Sequence, residues 1–288
     1  MNMNHLRMGT GKPLLLIHGL GGSARSWSTI STALAERREV IAVDLPGFGA
    51  TPPLVGETSI RSLSDAVTAF LDVQGLRGID AVGSSMGARL VLELARRGGV
   101  LGSVVSLDPG GFWRGWERHA FFSSIWLSIR AVRLLQPVMP TIARSKVART
   151  MLLAQFCRRP WALDPAVVLE EMRSYARAPA FDELLHRLAY GEEQEGAAHG
   201  CIEAPLVIGW GRNDRVCFTS QAKRALALFP DARLHWFERC GHFPHWEAPK
   251  ETVQLILHTC ARQIGASTAG TPVEKSAIRG ARPGADAA

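Results

Sequence analysis

The sequence predicts an α/β protein built on a mostly parallel, twisted sheet, and three observations carry that expectation. Short apolar runs bounded by Gly, Pro or polar residues recur at Leu14 to His18, Val40 to Val43, Ile79 to Val82, Val104 to Leu107, Leu206 to Gly209 and Leu234 to Phe237. They read as buried parallel strands, because both faces of such a strand must be apolar. Helical patterns separate them, at Trp27 to Ala35, Ser59 to Val73, Ala88 to Arg97, Ser220 to Leu228 and Lys250 to Ile264, so strand and helix alternate as in a doubly wound sandwich. Finally, Ser85, Asp214 and His242 each fall just after a predicted strand. The carboxyl ends of the strands are where open α/β sheets place their sites.

The chain has 288 residues, 47% of them hydrophobic, enough to bury a large core in one domain with a sizeable insertion. His5 to Met8, followed by the turn signal Gly9-Thr10-Gly11, supplies an edge strand and brings the sheet to about seven strands. The core is expected from 1–111 and 201–265, with a helical cap inserted at 112–200. Residues 266–288 are rich in Gly, Ala, Pro and Ser and lack apolar periodicity, which predicts a disordered tail. Apolar runs are all shorter than the roughly 18 residues of a membrane span, and Pro13 to Ile17 is too short for a signal-peptide core of about 7 to 15. A cytoplasmic location is the expectation. The five cysteines, Cys157, Cys201, Cys217, Cys240 and Cys260, are scattered and odd in number, which suits neither a disulfide framework nor paired metal spacing.

The formal charge of +7 is unevenly spread. Phe112 to Pro160 is strongly basic, with Glu117 its one acid, whereas Trp161 to Gly200 is acidic. No stacking motif or reading helix accompanies the basic half, so pairing between the halves, or a solvated face, is expected rather than nucleic-acid binding. A weak contact with an anionic membrane surface, or an acidic substrate, stays open for the basic half. The oligomeric state stays open as well.

The most specific motif is Gly83-Ser84-Ser85-Met86-Gly87, set between the apolar run Ile79 to Val82 and the helical stretch from Ala88. A nucleophilic serine on a sharp strand-to-helix turn needs very small residues two positions before and after it, which designates Ser85 rather than Ser84. Its hydroxyl needs a base, and His242 is the candidate because it follows the last strand and the flexible Cys240-Gly241 pair. His18 and His245 are the competing histidines, the first read as bracing a loop and the second as packing beside Trp246 and Glu247.

Taken with His18-Gly19-Leu20-Gly21-Gly22, Gly209-Trp210-Gly211-Arg212-Asn213-Asp214 and Cys240-Gly241-His242-Phe243-Pro244-His245-Trp246-Glu247, this motif resembles the α/β-hydrolase superfamily. The order Ser85, Asp214, His242 is the one that superfamily uses, unlike chymotrypsin-like or subtilisin-like enzymes. The resemblance implies an α/β-hydrolase fold and a Ser85–His242–Asp214 triad, with Asp108 as the rival acid. It also implies an oxyanion hole from the amides of Leu20 and Met86. Asp44, in Asp44-Leu45-Pro46-Gly47-Phe48-Gly49, resembles the family's structural turn. An insertion at this position covers the site in the superfamily, so the aromatic start of the cap, with Trp113, Trp116 and Trp126, is expected to bind substrate.

The implied function is a cofactor-independent serine hydrolase acting through an acyl-enzyme on a small apolar ester, with no metal: His and Asp lack zinc spacing, and the glycine run lacks a phosphate loop's Lys and Ser or Thr. The Cys240 to Glu247 segment also resembles that of meta-cleavage product hydrolases, although Ser84 and Ala88 depart from their usual Gly-Asn-Ser-Met-Gly-Gly. Carbon–carbon hydrolysis is therefore an alternative. Cofactor-free perhydrolase or haloperoxidase members share the triad, and a non-enzymatic ligand receptor on the same fold is the reading from another class.

Overall fold

The computed structural model describes residues 2–261, so the expected tail at 266–288 lies outside the described residues. Among the described residues seven strands form one sheet: β1 His5–Met8, β2 Pro13–Ile17, β3 Glu39–Val43, β4 Ile79–Ser84, β5 Leu101–Leu107, β6 Leu206–Gly211 and β7 Arg233–Phe237. Their spatial order is β1-β3-β2-β4-β5-β6-β7, with β1 antiparallel to β3 and every other pair parallel. The expected edge strand is therefore present, and the sheet is mostly parallel.

The helices are α1 Ser28–Ala35, α2 Ile60–Gln74, α3 Met86–Arg97, α4 Trp116–Leu134, α5 Met139–Arg144, α6 Lys146–Leu153, α7 Pro165–Arg177, α8 Phe181–Tyr190, α9 Ser220–Leu228, α10 Pro244–Glu247 and α11 Pro249–Ala261. Helix boundaries have local causes. Ser59 caps α2 in a capping box with Ser62, and Gly75, left-handed at φ 66°, ends it. Strand alternation divides the core: Leu14 and Leu16 pack with Trp27, Ile30, Leu34 and Ile256 on one face, while Leu15 and Ile17 face the larger cluster containing Leu90, Leu94 and Phe70. Each alternate residue of β2 thus serves a different layer, which is why the run is apolar throughout.

Helices α4 to α8 lie between β5 and β6. Their basic and acidic halves pair: Arg118 meets Glu193 at 2.7 Å and Arg133 meets Asp182 at 2.6 Å. These pairs are solvent-exposed and add little stability, about 1 kcal/mol or less each. The strand order reverses at β2, since the chain runs from β2 outward to β3 and returns to β4 on the other side. The loops after β2 and β4 therefore flank the crevice where such sheets bind ligands.

Candidate active site

Ser85 occupies the turn between β4 and α3 with φ 55° and ψ −112°, a conformation that an L residue adopts only under constraint. The neighbouring glycines show what imposes it. A Cβ on Gly83 would collide with the Gly87 backbone, and one on Gly87 would collide with the Ile17 and His18 carbonyl oxygens. Any larger residue would push α3 off the sheet. Ser84, by contrast, is buried with its Oγ unpartnered, and takes no part in the array around Ser85.

The loops after β6 and β7 bring two further side chains to this turn. His242 Nε2 lies 2.8 Å from Ser85 Oγ, and His242 Nδ1 lies 2.7 Å from Asp214 Oδ2. The other Asp214 oxygen accepts from the amides of Val216 and Cys217 at 2.7 and 3.0 Å, so the carboxylate cannot rotate away. A carboxylate can only accept, which places the ring proton on Nδ1 and leaves Nε2 free to accept from the Ser85 hydroxyl. His242 is 2% exposed and Asp214 5%, so water competes little with these hydrogen bonds.

The rival acid is close by. Asp108 is fully buried, its Oδ1 accepts from the Gly211 amide at 2.8 Å, and its Oδ2 has no partner. Burial pushes its carboxyl well above the usual range, and the adjacent Asp214 charge pushes it further. Both effects favour the protonated, uncharged form of Asp108.

His18 and His245 take the structural places expected of them. His18 Nδ1–H donates to the Gly19 carbonyl at 2.7 Å and Nε2 accepts from the Leu45 amide at 3.0 Å, which braces the loop after β2. Burial lowers its pKa and keeps it neutral. His245 is pushed down to about 3 by burial, with His242 adding repulsion, and packs against Trp27. Asp44 accepts from the amides of Ala24 and Ala50 at 2.7 and 2.8 Å, holding its own turn.

A cavity of about 270 Å³ opens over Ser85 and His242, with Leu20 and Met86 at its base. Trp113 lines it, 9% exposed and stacked on Phe121 with ring centroids 4.3 Å apart. Trp116 and Trp126 do not line it, which corrects their expected substrate contact. Trp116 is 69% exposed and leans on Phe218, while Trp126 is 42% exposed beneath the Arg130 guanidinium. The reason is helical phase: on α4, Ile125 and Ile129 turn toward the cavity, and Trp126, one residue on, turns about 100° away.

The contacts that hold these loops carried no sequence signal. Glu247 accepts from the Gly241 amide at 2.6 Å and from the Arg159 amide at 2.7 Å, and the His242 amide donates to the Phe156 carbonyl at 2.7 Å. The histidine loop is therefore held by backbone of the inserted segment. Helix α7 grips the opposite loop: Ser174 Oγ donates to the Gly21 carbonyl at 2.9 Å, and Tyr175 and Phe181 press so closely that Gly21, at φ 79°, has no room for a side chain.

Beneath this grip lies Glu171, 2% exposed, its pKa raised from 4.5 to about 7 by burial, with Glu170 adding repulsion and Ser26 and Tyr175 hydrogen bonds pulling it back. The folded state keeps this proton while the unfolded chain releases it near 4.5, so stability falls as pH rises from 4.5 toward 7. Glu171→Gln is expected to raise the Tm at pH 8, by at most about 3 kcal/mol of stability, and to leave it little changed at pH 4. Thermal unfolding at the two pH values checks this. An equal shift at both would assign the effect to packing.

Asp214, Cys217 and His242 also bring a carboxylate, a thiol and an imidazole within 4.8 Å of one another, a set of donors that suits a metal ion in type. The fit is poor. Both Asp214 oxygens and His242 Nδ1 are already hydrogen-bonded, and burial pushes the Cys217 thiol well above its usual range, against the thiolate a metal needs.

Comparison with known proteins names the class. The alpha/beta hydrolase family model matches residues 14–255, and the chain belongs to that family. It is similar to the dihydrolipoyllysine-residue acetyltransferase component of the acetoin cleaving system of Pseudomonas putida, 27% identical over 260 residues. That match covers 86% of this chain and 63% of the relative, so the chain spans less than two thirds of that protein's length. A 2-hydroxy-6-oxononadienedioate/2-hydroxy-6-oxononatrienedioate hydrolase of the same organism is 26% identical over 278 residues, covering 89% of this chain and 91% of that protein. Among solved structures, the meta-cleavage product hydrolase of Pseudomonas fluorescens IP01 superposes with TM-score 0.70 at 23% identity, covering 91% of this chain and 94% of that one.

Proposed function

We propose that this hydrolase-family protein is a carboxylesterase acting on small esters with an apolar acyl or alcohol part. Ser85 attacks the ester carbonyl as His242 takes its proton, and the imidazolium is stabilised by Asp214. The amides of Leu20 and Met86 receive the oxyanion, helped by the dipole at the start of α3; a lost donor costs about 3 to 4 kcal/mol. His242 returns the proton to the leaving alcohol, and water, activated by the same imidazole, releases the acid.

The observation that carries this reading is the chemistry of the cavity wall. Among the described residues lining the cavity there is no Lys or Arg, and the polar side chains beside Ser85 and His242 are Ser128 and Tyr175. An apolar ester loses nothing on entering such a space. The second reading, carbon–carbon hydrolysis, draws on the similarity to the oxononadienedioate hydrolase. A dicarboxylate would there leave water without a cation to meet it, at several kcal/mol per ion.

Delivery of the ester has its own signature. Leu127 and Met151 line the cavity and are also 64% and 78% exposed, and nearby Val147 is 72% exposed. Arg130 on α4, Arg144 at the end of α5 and Lys146 at the start of α6 are exposed as well. This apolar rim with a basic surround suits an anionic membrane surface as a source of substrate. Among the described residues no helix is long and apolar enough to cross a membrane.

A chain-length series of aryl esters, with a dienone dicarboxylic acid beside it, tests the reading. kcat/KM is expected to rise about fourfold per methylene until the cavity is full, with the dienone acid turned over poorly. Phe121→Ala and Trp113→Ala should move the optimum to longer chains, and Trp116→Ala should not. Preferential cleavage of the dienone acid would instead make carbon–carbon hydrolysis the function. Esters in anionic vesicles should be cleaved faster than the same esters in zwitterionic vesicles at low salt, with the difference vanishing as salt rises.

A further inference from the structure

A second cleft, about 490 Å³, opens where the two ends of the inserted helices meet α9, and Trp113 and Leu188 contribute to its wall as well as to the wall of the first cavity. Arg89, Arg114, Arg118, Lys223 and Arg224 line it, with Glu192 and Glu193. Arg118 is matched by Glu193 and Arg224 by Glu117. Arg89, Arg114 and Lys223 have no ion pair among the described residues.

Arg89 is the unusual member. It stands one helical turn beyond Ser85 on α3 and is only 3% exposed. Two of its nitrogens donate to the carbonyls of Leu188 and Glu192, while Nε is buried with no partner. Its nearest opposite charges are Glu93, Glu192 and Glu193, and each already holds an arginine of its own: Arg96 and Arg97, Arg61, and Arg118 respectively. Desolvation pushes the guanidinium down to about 10. Gly111 lies directly on it, with no side chain to cover the stem. A second buried orphan, Gln194 Oε1, lines the same cleft and offers an acceptor.

We propose that this cleft is an anion site that takes the carboxylate or phosphate group of a small organic molecule, with Arg89 donating from its floor and Arg114 and Lys223 closing from the rim. A buried cation without a counter-ion is costly, and an oxyanion removes that cost while accepting charge-assisted hydrogen bonds from the guanidinium. Volume favours an organic anion over a bare ion, since a water's share of liquid is only about 30 Å³. Gln194 suits a hydroxyl or amide N–H on the same ligand. The site is separate from Ser85 and does not depend on what Ser85 cleaves.

The test is thermal unfolding and calorimetric titration with inorganic phosphate, succinate and a sugar phosphate, at ionic strength matched with sodium chloride. Wild-type protein is expected to gain Tm from at least one of these over matched chloride, and which one does distinguishes phosphate from carboxylate. The exposed pair Arg114→Ala/Lys223→Ala should fold normally, weaken binding about tenfold or more, and keep ester hydrolysis within about twofold of wild type. Arg89→Lys keeps the charge and loses the planar fork, and should bind more weakly still. No gain over chloride in wild-type protein, or undiminished binding in both variants, would overturn the proposal.

Discussion

Ser85→Ala is expected to abolish ester hydrolysis, with a loss on the order of 10⁴- to 10⁶-fold in kcat, while leaving the fold intact. The fold should survive because the elbow's strain is set by its surroundings. Gly83 and Gly87 admit the close crossing of β4, α3 and β2, and alanine at position 85 retains the same Cβ. The hydroxyl contributes one hydrogen bond, to His242 at 2.8 Å, so its removal should change the Tm by only a few degrees. An organophosphonate should label wild-type protein at Ser85 and leave the variant unlabelled. Labelling at Ser84, or full turnover by folded Ser85→Ala protein, would sink the assignment. A receptor that binds without turnover would keep its ligand affinity in this variant and show no hydrolysis in either protein.

Asp214→Asn is expected to lower kcat by about 10⁴-fold, whereas Asp108→Asn should cost no more than about tenfold. Both acids are buried and adjacent, so the difference must come from protonation and geometry. Asp214 accepts from His242 Nδ1 at 2.7 Å while two amides hold its other oxygen, and an amide in its place can turn an N–H toward the ring and select the wrong tautomer. Burial and the Asp214 charge both favour the protonated form of Asp108, and asparagine copies the shape of that uncharged carboxyl. Its one acceptor bond, from the Gly211 amide, is open to the asparagine carbonyl. Steady-state kinetics on folded protein, with kcat separated from KM, checks both values. A larger loss at Asp108 would move the acid to the strand that ends at Leu107.

Sequence alone determined the sheet and the residues at its carboxyl edge, because both depend on local rules. Buried parallel strands must be apolar on two faces, which made the five interior runs visible; the edge strand β7 was legible from its own apolar run, and β1 from a short segment before a glycine turn. Ser85 was legible because a strained elbow demands glycine at two fixed offsets, and His242 because Gly241 and the Trp246-Glu247 pair mark its loop. Opposite charge in the two halves of the insertion left pairing between them and a solvated face as the two readings, and the structure supplies the pairs Arg118–Glu193 and Arg133–Asp182.

Tertiary structure alone decided what meets across long sequence separations. Composition marked Trp113, Trp116 and Trp126 alike, yet of the three only Trp113, in the segment before α4, lines the cavity over Ser85, and the phase of α4 turns Trp126 away from it. The grip of Ser174 and Tyr175 on Gly21, and of Phe156 and Glu247 on the histidine loop, joins residues from 6 to 154 positions apart, through backbone groups that every residue carries. The unpaired charge of Arg89 was equally hidden: a sequence shows that a cation is present, and only packing shows that its neighbours' carboxylates are already taken.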